Sequence, residues 1–352
     1  MKIAVIGAGS GGLALCYELK RAGHSVRLWN RSPERLAPIL ARRSRVLVED
    51  PENHITEIAI DSICPELGDA MDGADAAVVV TPSSAHEDLG QRFGEIRAGK
   101  CPIILMPGRT YGSYAFTKLY RKVSPGAEIL CLETQTILHA CRSEGDKVRI
   151  YGTKSKVSYT SPIPLPRSVQ DMVSSILPCF EYVERYFDVA LNNVGAFFHP
   201  IPTILNSGWI ESGKRFKHYS EGITPRIAAF IDAIDQEKKN LCQRIGVRHL
   251  PLTDWLKVEY GAEGQDLYTL LQNVPAYKGV DAPTSLDHRY IFDDLNTGLV
   301  PLYRTAEHFG VPMPTLKVFL DFTCAFLRKD YYSTGRGFPA EYWRGDPAAA
   351  SR

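Results

Sequence analysis

The chain has 352 residues, and at roughly 150 residues per domain that length fits about two domains. Hydrophobic residues at 44% and charged residues at 23% are those of an ordinary folded protein and exclude intrinsic disorder. With 41 Lys and Arg against 40 Asp and Glu the formal net charge is +1, so neither a nucleic-acid partner nor an anionic membrane is implied.

The first residues, MKIAVIGAGSGG, break their apolar run with glycines too early for a secretory leader. No stretch approaches the ~18 apolar residues that a membrane helix needs. The eight cysteines (16, 64, 101, 131, 141, 179, 242 and 324) form no C-x-x-C pair and read as small buried hydrophobes, with no metal site. The expectation is a cytoplasmic protein with reduced thiols.

Residues 2–6 (KIAVI) read as a buried parallel strand, 13–19 as a helix closed by Gly23, and HSVRLWNR as a second strand. This strand–helix–strand unit opens a doubly wound sheet. Further buried strands are expected at Ala76–Val80, Pro102–Met106, Ile129–Leu132 and Val148–Tyr151, with helices around 66–72, 84–97 and 113–122. Beyond about residue 185 the texture becomes helical. Thr224-Pro225 supplies an N-cap and a first-turn proline, apolar residues recur at helical spacing from Ile227, and Gly246 ends the run. Helices follow at 299–309 and 314–329, and the terminal DPAAASR reads as a frayed tail. The fold class is therefore α/β, an N-terminal Rossmann-type doubly wound sheet over 1–187 followed by a mainly α-helical domain over 188–352 that carries substrate and catalysis.

Gly7-Ala8-Gly9-Ser10-Gly11-Gly12 matches G-x-G-x-x-G between a strand and a helix, the context in which that motif binds a dinucleotide. Gly7 would allow the tight turn, Gly9 the approach of a pyrophosphate and Gly12 close helix–sheet packing, with Ser10 and Gly11 opening the helix. At the end of the second strand stand Asn30 and Arg31, followed by Arg35. An acidic residue there would bind a ribose 2′-hydroxyl, whereas guanidiniums pair with a 2′-phosphate, so NADP(H) is preferred to NAD(H), which stays possible. Arg31 and Arg35 can also be read as a solvated loop. Thr81-Pro82 and Pro107-Gly108-Arg109 follow strands at their carboxyl ends, where open α/β sheets bind ligands, although Pro and Gly suit any such turn.

The second half holds GAFFHPIPTILNSGWIE (195–211), with His199 in an apolar stretch bent by Pro200 and Pro202. A lone histidine on an apolar face is usually a satisfied core residue. Further on come Phe216-Lys217-His218-Tyr219-Ser220-Glu221-Gly222-Ile223-Thr224-Pro225, Arg289-Tyr290 and Asp293-Asp294-Leu295-Asn296-Thr297-Gly298. Together with the glycine motif, Pro107-Gly108-Arg109 and the stretch from Glu133-Thr134 to Arg142, these strings resemble the opine dehydrogenases, the octopine/nopaline dehydrogenase group. The resemblance covers most of the chain and is more specific in its second half.

It implies an enzyme that joins the amine of an amino acid to the carbonyl of a 2-oxo acid such as pyruvate and reduces the imine with NAD(P)H. By position it makes His199 the acid–base group and Asp294 its carboxylate partner, with Asp293 as the alternative because the chain has Asp-Asp-Leu-Asn where the family has Glu-Asp-Val-Pro. A histidine titrating near neutrality, oriented by a carboxylate, suits protonation of an imine or carbonyl. Arg142 is a candidate to clamp a substrate carboxylate or to form a plain salt bridge, and Asn206 to orient nicotinamide or substrate or to satisfy backbone. Two other readings stay open: a reductase converting a 2-oxo acid to a 2-hydroxy acid, and a dinucleotide sensor without turnover. The residues do not specify the amine or the oligomeric state.

Overall fold

The computed structural model describes residues 1–99 and 101–343. The stretch 346–352, read above as a frayed tail, lies outside them. The chain divides into two compact units, one spanning Met1–Ala190 and the other beginning at Leu191.

The first unit is built on strands β1 (Lys2–Ile6), β2 (Ser25–Trp29), β3 (Arg45–Glu49), β4 (Ile55–Ala59), β5 (Ser62–Ile63), β6 (Ala76–Val79), β7 (Ile103–Leu105), β8 (Cys131–Thr134), β9 (His139–Glu144), β10 (Lys147–Thr153), β11 (Val157–Thr160) and β12 (Phe180–Tyr182). Its main sheet runs β12-β11-β8-β7-β6-β1-β2-β5. From β5 to β8 every pairing is parallel, and β11 joins antiparallel to β8. Numbered as successive strands of this sheet, β1, β2, β5, β6, β7 and β8 lie in the order 3-2-1-4-5-6, that of a dinucleotide-binding fold.

Alternation along β1 explains the layering. Ile3 and Val5 face a core shared with helix α1 (Ser10–Arg21), whereas Ala4 and Ile6 face the opposite core, built with α2 (His86–Glu95) and α3 (Gly112–Val123). Both faces of the sheet are thus covered, which is why its strands read as continuous apolar runs.

A second sheet, β4-β3-β10-β9, also belongs to this unit. It corrects the expectation for Val148–Tyr151, which belongs to β10 and lies outside the main sheet. Val148 and Ile150 are buried there while Arg149 and Tyr151 are exposed, the alternation of a strand with one wet face.

In the second unit the described residues form helices and one isolated bridge, Lys217–Asp281. The helices include α4 (Gly195–Phe198), α5 (Pro200–Leu205), α6 (Pro225–Ile245), α7 (Leu252–Tyr260), α8 (Arg289–Asp294), α9 (Val300–His308) and α10 (Pro314–Leu327). Thr224 caps α6 by accepting from the Ile227 N–H, Pro225 opens it, and Gly246 ends it at φ +66°. Among the described residues no helix is long and apolar enough to cross a membrane.

Candidate active site

In the first unit β1 runs into the glycine turn. Gly7 has φ +121°, and a Cβ there would lie 2.3 Å from the Val80 carbonyl oxygen. A Cβ at Gly12 would lie 1.8 Å from the Gly7 carbonyl oxygen, and one at Gly11 would strike Ile137 and Val80. At Gly7 and Gly12 the obstacle is backbone, so only glycine permits that packing. Gly9, the N-cap of α1, differs: a Cβ there would meet nothing within 4 Å. No side chain caps α1 and its first turn carries no acid, so the positive end of the helix dipole is unopposed. These features fit a pyrophosphate held by backbone N–H groups.

The neighbouring residues hold the turn in shape. Asn30 accepts from the Ala8 N–H at 2.9 Å and donates to the Ser32 carbonyl at 3.0 Å, clipping the end of β2 to the turn. Ser10 Oγ accepts from the Ser143 N–H at 2.9 Å, tying α1 to β9. Thr81 Oγ1 is buried without a hydrogen-bond partner among the described residues, beside Gly7, and Pro82 leads into the next helical turn. A buried hydroxyl in that state suits the polar edge of a bound dinucleotide. Arg31 is exposed and lies 3.4 Å from Asp88, whose carboxylate also meets Arg92 at 3.0 Å. Arg35 is exposed and has no carboxylate within 4 Å among the described residues. Arg142 is exposed on β9 and donates to the Cys141 carbonyl.

The second unit brings His199 and Asp294 together. Pro200 has no N–H to continue α4, so α4 and α5 meet at His199 as two short helices. His199 Nδ1 lies 2.8 Å from Asp294 Oδ2, with the imidazole side chain 15% exposed and the carboxylate 3%. Helix α8 carries Asp294 and passes into a π-helical segment, Leu295–Leu299. There Gly298 faces α4 so closely that a Cβ would lie 2.4 Å from the Ala196 Cβ. That approach, three residues before His199 and four after Asp294, sets the spacing between the two elements. Asp293 is buried, and its backbone carbonyl accepts from Thr297 Oγ1 at 2.8 Å.

Aromatic and imidazole rings surround the pair. Tyr290 stacks on His199 with centroids 4.1 Å apart and planes within 4°. His218 is buried and donates from Nε2 to the Phe198 carbonyl at 2.9 Å, and burial pushes its pKa down to about 4. His288 caps α8 by accepting at Nδ1 from the Tyr290 N–H, and its pKa is also lowered by burial. The Arg289 guanidinium lies 5.4 Å from the Tyr290 ring centre, exposed and with no carboxylate within 4 Å among the described residues. Asn206 donates to both the Pro202 and Gly222 carbonyls at 2.8 Å, which ties α5 to the segment carrying His218. Tyr219 stacks on Tyr277 at 4.0 Å. Sequence reasoning gave no role to His218, His288, Arg289 or Tyr290. The available signal was helical spacing, because Tyr290 and Asp294 stand four residues apart on one helix face.

Residues 182–327 match the family model for the NAD/NADP octopine/nopaline dehydrogenase alpha-helical domain, and residues 2–110 match that for the NAD-dependent glycerol-3-phosphate dehydrogenase N-terminus. An opine dehydrogenase of Arthrobacter sp. (strain 1C) is 31% identical over 95% of this chain and 92% of its own length. Among solved structures, octopine dehydrogenase in complex with NADH and agmatine superposes with a TM-score of 0.76 at 21% identity, covering 97% of this chain and 95% of that one. Yersinopine dehydrogenase with NADP+ bound gives 0.73 at 13% identity, covering 100% and 97%. Strand order, glycine turn, helical domain and near full-length similarity agree: this chain belongs to the opine dehydrogenase family and is an NAD(P)-dependent oxidoreductase.

Proposed function

We propose that this opine dehydrogenase condenses an amino acid with a 2-oxo acid and reduces the imine, preferring NADPH and using His199 as its acid–base group. The observation that carries the reading is the buried 2.8 Å contact between His199 and Asp294, which gives an imidazole a fixed tautomer and a stabilised protonated form. When bound, the reduced nicotinamide supplies hydride. The residues of this chain handle the proton and the substrate charges.

With Nδ1–H donated to Asp294, the proton exchanged with substrate is carried at Nε2. Protonated His199 donates it to the carbonyl oxygen of the oxo acid, which favours attack by the amine nitrogen and then loss of that oxygen as water. The remaining imine, protonated on nitrogen, accepts hydride at carbon and becomes a secondary amine. From an ammonium-form amino acid the sum consumes one proton and releases one water. Ionised Asp294 holds the imidazolium until its proton is delivered. For the substrate carboxylate we favour Arg289 over Arg142, because Arg289 lies on the same helix as Asp294 and beside Tyr290. Asn206 serves by holding the Gly222 carbonyl.

The NADPH preference rests on Arg31 and Arg35 and on the lack of a carboxylate side chain at the end of β2, where Asn30 stands instead. In this reading the setting is the cytoplasm, in keeping with eight cysteines that are all free thiols. The test is NADPH oxidation across a panel of amino acids with pyruvate, 2-oxoglutarate or glyoxylate. Oxidation that requires the amine supports condensation. Oxidation with oxo acid alone, at an undiminished rate, favours a 2-hydroxy acid product instead.

A further inference from the structure

Asp294 meets His199 at Nδ1, and a hydrogen bond at one ring atom fixes a direction in the ring plane more firmly than it fixes the tilt of that plane. One helical turn earlier on α8, Tyr290 supplies a contact of another kind, to the face of the ring. The i and i+4 positions share a helix face, so the residue that grips Nδ1 and the residue that covers the ring plane come from the same element. The Tyr290 ring lies parallel to the imidazole at 4.1 Å and is itself buried. Its π face attracts an imidazolium more strongly than a neutral imidazole.

Three histidines meet this one ring. His218 lies 5.0 Å from it and His288 4.7 Å, centroid to centroid. His218 is committed as a donor to the Phe198 carbonyl inside the core, and His288 is committed as an acceptor at Nδ1 from the Tyr290 N–H. Neither has a carboxylate within 4 Å among the described residues, whereas His199 has Asp294. The Arg289 guanidinium also lies at the ring.

We propose that Tyr290 is a positioning residue: with Asp294 it clamps the plane of His199 and favours its protonated form, so that the one proton of a three-histidine cluster resides at position 199. This rests on the acid–base role given to His199 above, but the clamp can be read without turnover. The experiment is a pH titration of ring-¹³C-labelled histidine in the full chain by NMR, with His199→Gln assigning the resonance, for the wild type, Tyr290→Phe and Tyr290→Leu. In the wild type the stacked tyrosine should displace the His199 Cε1–H signal upfield of unstacked histidines. Tyr290→Phe keeps the π face and should keep the titration midpoint. Tyr290→Leu keeps apolar cover without a π face, and should lower the midpoint by about half a pH unit. Its kcat should fall roughly tenfold with the Kd for NADPH within twofold, and its pH–rate limb should move with the NMR midpoint.

A wild-type signal without the upfield displacement overturns the proposal even if Tyr290→Leu does not fold. So does a Tyr290→Leu midpoint equal to the wild type, or a Tyr290→Phe protein that titrates like the leucine variant. If the titrations come out as expected while His199→Ala turns over normally, the clamp stands and the acid–base assignment falls.

Discussion

Replacing Asp294 by Asn removes one charge from the pair and little volume. The charges of an Asp294–imidazolium pair whose N and O atoms are 2.8 Å apart are centred roughly 4 Å apart, and both side chains are largely buried. At an effective dielectric of about 20, that separation corresponds to roughly 4 kcal/mol favouring the imidazolium, close to three decades in an equilibrium constant. The amide still offers an oxygen to Nδ1–H, so part of the orientation survives, and the expected loss in kcat is roughly 10²–10³-fold. The sign of the pH effect follows from the same charge. A carboxylate favours the protonated ring, its removal disfavours it, and reductive turnover by Asp294→Asn should therefore fade at lower pH than that of the wild type. Steady-state kcat from pH 5 to 9, with NADPH binding followed by fluorescence, measures both effects. A variant within threefold of the wild type, with an unmoved pH profile, would show that the Asp294 charge does not support the imidazolium.

Arg31→Ala should raise the Kd for NADPH at least tenfold while changing that for NADH less than twofold; equal changes would assign Arg31 a role apart from the 2′-phosphate. Gly298→Ala puts a Cβ 2.4 Å from that of Ala196, so it should destabilise the protein by about 1–3 kcal/mol and lower kcat more than affinity for NADPH; unchanged unfolding in urea would contradict the close approach. His218 titrates near 4 in the folded chain and near 6.5 when unfolded, so its contribution is present above pH 6.5 and is lost as the pH falls toward 4, up to about 3 kcal/mol. Urea unfolding at pH 7 and pH 4.5 should show His218→Asn losing correspondingly less stability than the wild type; parallel losses would remove His218 from the account.

What could be read from the sequence was governed by local chemistry. The glycine turn declares itself because Gly7 and Gly12 stand where any Cβ would strike backbone. Helix α6 declares its ends through Thr224, Pro225 and Gly246. The second sheet does not. Its β3 pairs in parallel with β10, about a hundred residues away, and β4 has only Ile58 buried among five residues, so no period-2 pattern marks it. Val148–Tyr151 carried a strand signal, but placing it in a sheet depends on partners that sequence order does not name. The site divides in the same way. His199 and the aspartates stood out by resemblance, yet which aspartate meets the imidazole depends on the phase of a short helix passing into a π segment. Both options for Asn206 were visible, and its two 2.8 Å bonds to backbone carbonyls come from a contact sixteen residues away as well as a local one. Tyr290 carried no mark of its own, because a tyrosine at helical spacing is ordinarily core.

The most direct measurement is the mass of the product formed with NADPH deuterated at the transferred position, an amino acid and pyruvate, by the wild type and by His199→Ala. The expected product weighs amine plus oxo acid less one oxygen atom, raised by the mass difference of the single deuterium it carries on the former carbonyl carbon, and it forms roughly 10²–10⁴-fold more slowly in the variant. Deuterium found only in a 2-hydroxy acid, or label entering the condensed product as fast without the imidazole, would contradict it.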